Sequence, residues 1–482
     1  MRRLAAIVAV ALLSGPWPVA ADKQLFTDAF TPAEFSSRRA RVMSAIGDGV
    51  AILSGATDRP DYLKFRQSAQ FFYLSGVEVP RAILVIDGRT RSSTLWLPAE
   101  NAAMARSEGP LLVPGEDARR MTGIEAVSDR AGFGAMLARL SAEGRPLYLP
   151  FRDTALTASS PDRARAHARA RLEDAWDGRP SLEEAFRARV SAAAPASEIR
   201  DLDPVIDALR MVKSPAEVAA IREATRIASV AILESMKAAR PGLFEYELEA
   251  LGDYFFKRFN AQGPAYFALV ATGTNAAWPH YHQAQARLAD GDLVLMDYAP
   301  DYQYYTSDVT RMFPVNGTFT PRQRELYGVY LRLYQALLAS IRPGQARDGL
   351  AAAYLKMRAV LETFSFTDPK IRAAATQLVA RYATPGQSYG HFIGMEVHDV
   401  SAGPRDGILR PGMALTIEPA LTIADERIYI RLEDAIVITE TGYDHLSAGL
   451  PMDIDAIERV MREPGLADLW KGAPAALERM RR

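Results

Sequence analysis

Cysteine is absent from all 482 residues, which excludes disulfides, thiolate metal sites and cysteine nucleophiles together. Histidine is scarce, at six, so any grouping of histidines is informative. No charge sign is in excess: 57 basic side chains against 58 acidic leave a net −1. Nothing therefore favours nucleic acid or an anionic membrane as partner, and a small partner is expected. Long hydrophobic runs are also missing. The most apolar stretch, LAAIVAVALL after Arg2 and Arg3, is about half the ~20 residues a membrane span requires. With Val19, Ala20 and Ala21 behind it, it reads as an export signal cleaved after Ala21, leaving no membrane anchor. What is present, 49% hydrophobic and 24% charged residues, is a globular composition with room for large cores and two or three domains. An exported chain without disulfides must be held by those cores.

From residue 22 to about 200 the chain shows short apolar runs (VAILSG, FFYLSG, AILVID, TLWLP, LYLP) with helical patches between them, an α/β pattern. An Ala/Arg-rich stretch, SSPDRARAHARARLEDAWDGRPSLEEAF, follows; it predicts surface helices whose arginines form a solvated face. A second unit, 201–450, opens with KSPAEVAAIREATRIASVAILESMKAARPG. Ser214 caps a helix there, Pro215 fits its first position, Glu217 completes a capping box and Val218, Ile221, Ala228 and Ile232 share a face. The same grammar recurs with Thr320, Pro321 and Gln323. Residues 451–482 form a tail.

The repetition goes deeper. In DGDLVLMD, Asp297 lies six residues after Gly291; in PGMALTIE, Glu418 lies six residues after Gly412. Each closes an apolar strand, each is followed by a second carboxylate opening another (Asp308, Glu433), and each is preceded by a histidine. The offsets between halves are 118 for His280 and His398, 121 for Asp297 and Glu418, and 125 for Asp308 and Glu433. A duplicated α/β unit that brings its carboxylates to one centre is the natural inference. A hairpin centred between Tyr302 and Gln303 would oppose Asp297 to Asp308 directly, on one sheet face. In IYIRLEDAIVI, Arg431 and Glu433 share a face, while Leu432 and Asp434 take the other. His391 sits between Gly390 and Gly394, where backbone can approach a ligand closely. Four carboxylates and one imidazole make a hard, oxygen-rich set suited to manganese, cobalt or zinc in a two-metal site. Hydrolysis by a hydroxide held between the metals is the natural use.

The segments HYH…DGDLVLMDYA, SDVTRMFPVNG, GHFIGMEVHDV, PGMALTIEPAL and IRLEDAIVIT resemble the metal-site motifs of the pita-bread metallopeptidases, the family of methionine aminopeptidase, prolidase and aminopeptidase P. FSSRR and FRQSAQFFYLSGVEVPRAILVI resemble the amino-terminal domain of Xaa-Pro aminopeptidase. The resemblance implies a mixed α/β amino-terminal domain followed by a duplicated pita-bread catalytic domain. It implies two divalent ions, manganese first and cobalt or zinc as alternatives. Asp297 would bind one, His391 and Glu418 the other, and Asp308 and Glu433 both. Glu418 would also shuttle protons, His398 would bond the substrate carbonyl or oxyanion, His280 would orient the substrate or help the departing proline nitrogen, and Arg431 would lie behind the ligands. The implied substrate is a peptide with proline second, and relatives' habits make a homodimer or homotetramer an expectation. Departures stand at Ala284, Gln387, Ala420 and Thr422; they touch no ligand position but bear on pocket shape. His282, which forms HxH with His280, is read as incidental.

Three other readings compete. Gly386 to Gly390 spell G-x-S-x-G around Ser388, with Asp434 and His445 following in the order of a serine hydrolase, but Pro385 before it and Gly394 after it do not suit a strand–turn–helix elbow. A non-catalytic pita-bread binding protein would usually lack ligands that this chain keeps. A prolidase, restricted to Xaa-Pro dipeptides, is the nearest rival; the FFYLSG segment and the export signal favour the aminopeptidase.

Overall fold

In the computed structural model the described residues are 26–57, 62–346, 350–384, 387–400, 403–404 and 406–466; the export signal and the end of the tail lie outside them. The β-branched and aromatic runs of the amino-terminal part form one mixed six-stranded sheet. Its strands are β1 (Val50–Ser54), β2 (Ile83–Asp87), β3 (Ser92–Leu97), β4 (Ala126–Asp129), β5 (Leu147–Leu149) and β6 (Ile199–Asp201), in the order β4-β3-β2-β1-β5-β6. FFYLSG departs from the strand-like runs around it. It belongs to a helix, Ala69–Ser75, closed by Gly76 in the left-handed region at φ 69°. Phe71, Phe72, Tyr73 and Leu74 are all buried, so the segment carries no helical periodicity to read. The Ala/Arg-rich stretch forms the helices Pro161–Glu173 and Leu182–Ala193, both largely exposed.

The second part is organised by two long antiparallel hairpins. In the first, β7 (Gly263–Pro264) and β8 (Leu269–Thr272) precede β9 (Leu293–Asp297), β10 (Pro300–Asp301) and β11 (Thr310–Pro314). β9 pairs with β11 from Leu293↔Pro314 to Asp297↔Thr310, and the tip closes with Tyr302↔Tyr305 in the same register. The second runs through β12 (Ala414–Ile417), β13 (Ala420–Ile423), β14 (Ile428–Arg431) and β15 (Asp434–Ile438), with β16 (Tyr443–His445) on its edge. Its pairing keeps one register from Ala414↔Val437 through Ala420↔Arg431 to Ile423↔Ile428. Thr310 and Glu433 exchange backbone hydrogen bonds of 3.2 and 3.1 Å, which joins the two hairpins at their centres.

Helices pack against these hairpins with matching start signals. Pro215–Ala238 has the Ser214/Glu217 capping box and Pro321–Leu338 the Thr320/Gln323 box. Both helices send buried faces into the main core. Part of the tail also packs: the helix Ile454–Val460 buries Ile457, and Glu458 accepts from the Phe319 amide at 2.9 Å. A second core is continuous between the two parts, with Phe30, Phe35 and Phe72 on one side and Tyr304, Tyr305, Ile393 and Met395 on the other. Among the described residues no helix is long and apolar enough to cross a membrane.

Candidate metal centre

Asp297 is the last residue of β9 and faces Thr310, so the expectation that it faces Asp308 is corrected. The turn is centred between Gln303 and Tyr304, one residue later than expected, which moves every partner by two. Because side chains alternate with period two, Asp308 still falls on the Asp297 side. The Tyr266 hydroxyl lies 2.8 Å from Asp297 Oδ1 and 2.8 Å from Asp308 Oδ1. A phenol has one proton to donate, so the second contact is satisfied only when a carboxyl carries a proton or a cation intervenes. In the second hairpin the direct opposition does occur: continued by one residue, the register that pairs Ile417 with Asp434 sets Glu418 opposite Glu433.

His391 is carried by a segment that pairs with β12. The Thr416 amide donates to its carbonyl at 2.8 Å, and its own amide donates to Thr416 Oγ1 at 3.2 Å. Gly390 is required here because a Cβ would stand 2.4 Å from the Thr416 carbonyl oxygen; the close approach is to a strand, not to a ligand as the sequence suggested. The His391 Nδ1–H faces the Phe392 carbonyl at 3.4 Å, which leaves the Nε2 lone pair turned inward. That Nε2 lies 3.4 Å from Asp308 Oδ2, 3.4 Å from Glu418 Oε1 and 3.8 Å from Glu433 Oε1. These distances are long for hydrogen bonds. They match donor atoms arranged around one ion, since ligands about 2.1 Å from a metal stand on the order of 3 to 3.5 Å from each other.

The electrostatics point the same way. Asp297, Asp308 and Glu433 are buried and Glu418 opens to the cavity, with its side chain 25% exposed. The buried cation among them is Arg431, whose guanidinium bonds Asp297, lies 3.9 Å from Glu418 and donates to Thr310 Oγ1 at 3.2 Å. Burial, then the charges of Asp297 and Glu418, pushes the Asp308 carboxyl well above the usual range. Burial, then Asp308 and Glu418, does the same to Glu433. Glu433 Oε2 accepts from the Thr310 hydroxyl at 2.8 Å, whereas its buried Oε1 has no hydrogen-bond partner among the described residues. Four carboxylates, one arginine and an orphaned buried oxygen form a donor set that fits divalent cations and is uncomfortable without them. Asp308, His391 and Glu433 come close enough to share one ion.

The two further histidines line the same cavity, of about 390 Å³. The His398 ring lies 4.1 Å from that of His391, centroid to centroid. Burial, with His391, His280 and Arg163 beside it, pushes His398 down to about 3. Its amide donates to the Ser159 carbonyl at 3.1 Å, and the Val397 amide to the Ala158 carbonyl at 2.8 Å. Asp399, beside His398, is held by buried Arg210 and Lys213, the latter at 2.8 Å. His280 sits on a loop anchored by buried Glu245, which accepts from Tyr281 Oη at 2.8 Å and the Ala286 amide at 2.9 Å. One wall of the cavity therefore belongs to the amino-terminal part of the chain.

Sequence reasoning missed Tyr266, Thr310, Thr416 and Arg163. Arg163 also corrects the expectation of a purely solvated arginine face: one of its terminal nitrogens lies 2.6 Å from His280 Nδ1. His282 lies outside any strand, its ring tilted against that of Phe267 with centres 4.2 Å apart. Ser388 is exposed and donates to the Gly390 carbonyl at 3.0 Å, and among the described residues no strand leads into it. Of the two residues that would complete a triad, Asp434 accepts from Arg311, Tyr334 and Ser447, and His445 Nε2 lies 3.1 Å from Asp434 without a hydrogen bond among the described residues. Ala284, one of the departures noted in the sequence, has φ 49°, a left-handed conformation that costs an alanine energy.

Comparison with known proteins supplies the family. Residues 219–440 match the family model described as metallopeptidase family M24, and residues 35–148 that of the aminopeptidase P N-terminal domain. The Xaa-Pro aminopeptidase of Escherichia coli (strain K12) is 32% identical over 453 residues, 89% of this chain and 97% of its own. The solved structure of proline aminopeptidase P II from Yersinia pestis superposes with a TM-score of 0.72 at 31% identity, covering 90% of this chain and 99% of its own. A zinc-substituted E. coli aminopeptidase P in complex with product gives 0.71 at 30%, covering 90% and 98%. The chain belongs to metallopeptidase family M24, with the aminopeptidase P type of amino-terminal domain.

Proposed function

We propose that this protein is an exported metallo-aminopeptidase that hydrolyses the bond between an amino-terminal residue and a penultimate proline. The observation that carries the chemistry is the convergence of Asp297, Asp308, Glu418 and Glu433 from two hairpins, and of His391 from the segment beside β12, onto one cavity. The substrate class is supported by the names of the full-length relatives above. On this reading Asp297 would hold one divalent ion, His391 and Glu418 the other, and Asp308 and Glu433 would serve both. When bound, the pair of ions supplies Lewis acidity, which lowers the pKa of the attacking water and polarises the scissile carbonyl. Manganese suits the oxygen-rich donor set, with cobalt and zinc as alternatives.

The remaining work falls to the chain. The Xaa-Pro bond is a tertiary amide without an N–H, so the prolyl nitrogen must acquire a proton as it leaves. Glu418, the most open of the carboxylates and within 3.4 Å of the Thr416 hydroxyl, can take a proton from the attacking water and deliver it to that nitrogen. His398 stays neutral at working pH and presents an N–H to the oxygen that becomes negative. His280 orients the peptide from the opposite wall, and Arg431 holds Asp297. The amino-terminal export signal supports a location outside the cytoplasm after cleavage behind Ala21, and a homodimer or homotetramer is the proposed assembly. Incubation of the manganese-loaded protein with Xaa-Pro and Xaa-Pro-Yaa peptides tests the substrate reading. Release of the first residue from the tripeptide is expected; cleavage of the dipeptide alone would make the protein a prolidase.

A further inference from the structure

The geometry points to Arg163 as a positioning residue that fixes the tautomer of His280 from the amino-terminal domain. An arginine side chain can only donate hydrogen bonds. Its 2.6 Å contact with His280 Nδ1 therefore makes Nδ1 the acceptor and puts the ring proton on Nε2. Among the described residues Nε2 has no hydrogen-bond partner of its own, and His280 lines the cavity that holds the candidate ligands. His280 thus presents an N–H, not a lone pair, to whatever occupies that cavity. A donor is the useful form here, because both the scissile carbonyl and the nitrogen freed from a prolyl amide offer lone pairs.

Arg163 is itself held in place. It lies in the first turn of the helix Pro161–Glu173, whose start is capped by Ser160 Oγ accepting from the Arg163 amide at 3.4 Å. The residues just before that helix are tied to the catalytic domain through the Ala158 and Ser159 carbonyls, which accept from the Val397 and His398 amides. Its guanidinium also lies 5.9 Å from the centre of the Phe267 ring. A second hollow of about 510 Å³ over the amino-terminal domain shares Thr157, Ser159, Ser160 and Arg163 with the first, so Arg163 stands where the two meet. One short segment, 157–163, thereby contacts both histidines that are proposed to face the substrate.

This inference rests on the role given to His280 above, and its test reads the ring directly. The zinc-loaded protein, labelled with ring-¹⁵N histidine and with the His280 signals assigned by loss in His280→Ala, is expected to show protonated Nε2 and acceptor-type Nδ1. Arg163→Gln keeps a donor and should preserve that pattern, with turnover within about threefold of wild type. Arg163→Glu offers an acceptor and should move the proton to Nδ1, lowering kcat roughly tenfold or more with KM little changed. A wild-type ring protonated on Nδ1, or a tautomer that Arg163→Glu leaves unaltered, would overturn the inference. Wild-type turnover in His280→Ala, together with the expected tautomer in the unmutated protein, would instead remove His280 from the proposed reaction and leave the role of Arg163 standing.

Discussion

The two hairpins of the catalytic domain share a design and differ at both ends of it. In the second, the carboxylates Glu418 and Glu433 fall directly opposite each other; in the first, Asp297 faces Thr310 and Asp308 stands two residues away on the same side. The tips differ more. The first tip, Tyr302 to Tyr305, turns through Gln303 and Tyr304 at φ 53° and 70°, conformations that cost non-glycine residues about 1 to 2 kcal/mol each. It is buried against the amino-terminal domain. Tyr304 stacks on Phe72 with ring centres 3.5 Å apart and donates to Glu78 at 2.5 Å, and Arg66 reaches Asp301 at 2.5 Å, while Tyr305 donates to Glu217 of the catalytic domain's own first long helix at 2.8 Å. The second tip, Ala424 to Arg427, stays at the surface with ion pairs such as Lys370–Asp425. Duplication has preserved what points into the centre and left the tips free to diverge: one docks a domain, and the other delivers Arg431 on its returning strand.

The largest effect should come from the carboxylates assigned to both ions. Asp308→Asn or Glu433→Gln is expected to lose bound metal and to lower kcat/KM by about 10³-fold or more, equivalent to about 4 kcal/mol of transition-state stabilisation. Metal analysis and circular dichroism check this; the fold should persist, because each change relieves repulsion in the metal-free centre. Full activity in either variant would break the assignment. Arg431→Met should come next. Removing one partner of a buried pair costs about 3 to 5 kcal/mol, so the metal-free protein should melt markedly lower, while bound metal recovers part of the loss. Activity should fall by about 10- to 100-fold, as for other groups that orient a metal ligand.

The tips sharpen the comparison differently. Tyr304→Ala should cost about 3 to 5 kcal/mol of stability, read from thermal melts, yet change turnover per folded molecule only severalfold. Asp425→Ala at the other tip should leave the melting temperature within error. Equal responses would erase the distinction drawn between the tips. The smallest effect is on pH. Asp308 and Glu433 have raised carboxyl values in the metal-free fold, so that fold holds protons the unfolded chain gives up. Their contribution is present below the ordinary carboxylate value of about 4 and is lost as pH rises through the raised values. Chelator-treated protein should therefore melt lower at pH 8 than at pH 5.5, and metal should narrow the gap. Asp399, which Arg210 and Lys213 hold down at about 2 despite its burial, loses its contribution only on acidification below that window.

The candidate centre was legible in the sequence because its residues close or flank apolar strands at repeated offsets, and because alternation placed Arg431 beside Glu433. The capped helices after Ser214 and Thr320 were legible from local chemistry alone. The turn centre was not, since Gln303 and Tyr304 lack the Asn-Gly signature of a tight hairpin and are held in place by contacts more than 200 residues away in sequence. FFYLSG hid its helix because it is buried on every side. Tyr266 and Arg163 carried no local signal: one sits in an ordinary apolar run and the other in an arginine-rich surface helix. Only the fold brings them to the site.

The central claim is that two hairpins converge on a pair of metal ions. Anomalous diffraction from manganese-loaded crystals tests it most directly. Two peaks are predicted inside the cluster of Asp297, Asp308, His391, Glu418 and Glu433, with Asp308 and Glu433 touching both; a single peak, or peaks elsewhere, would contradict it.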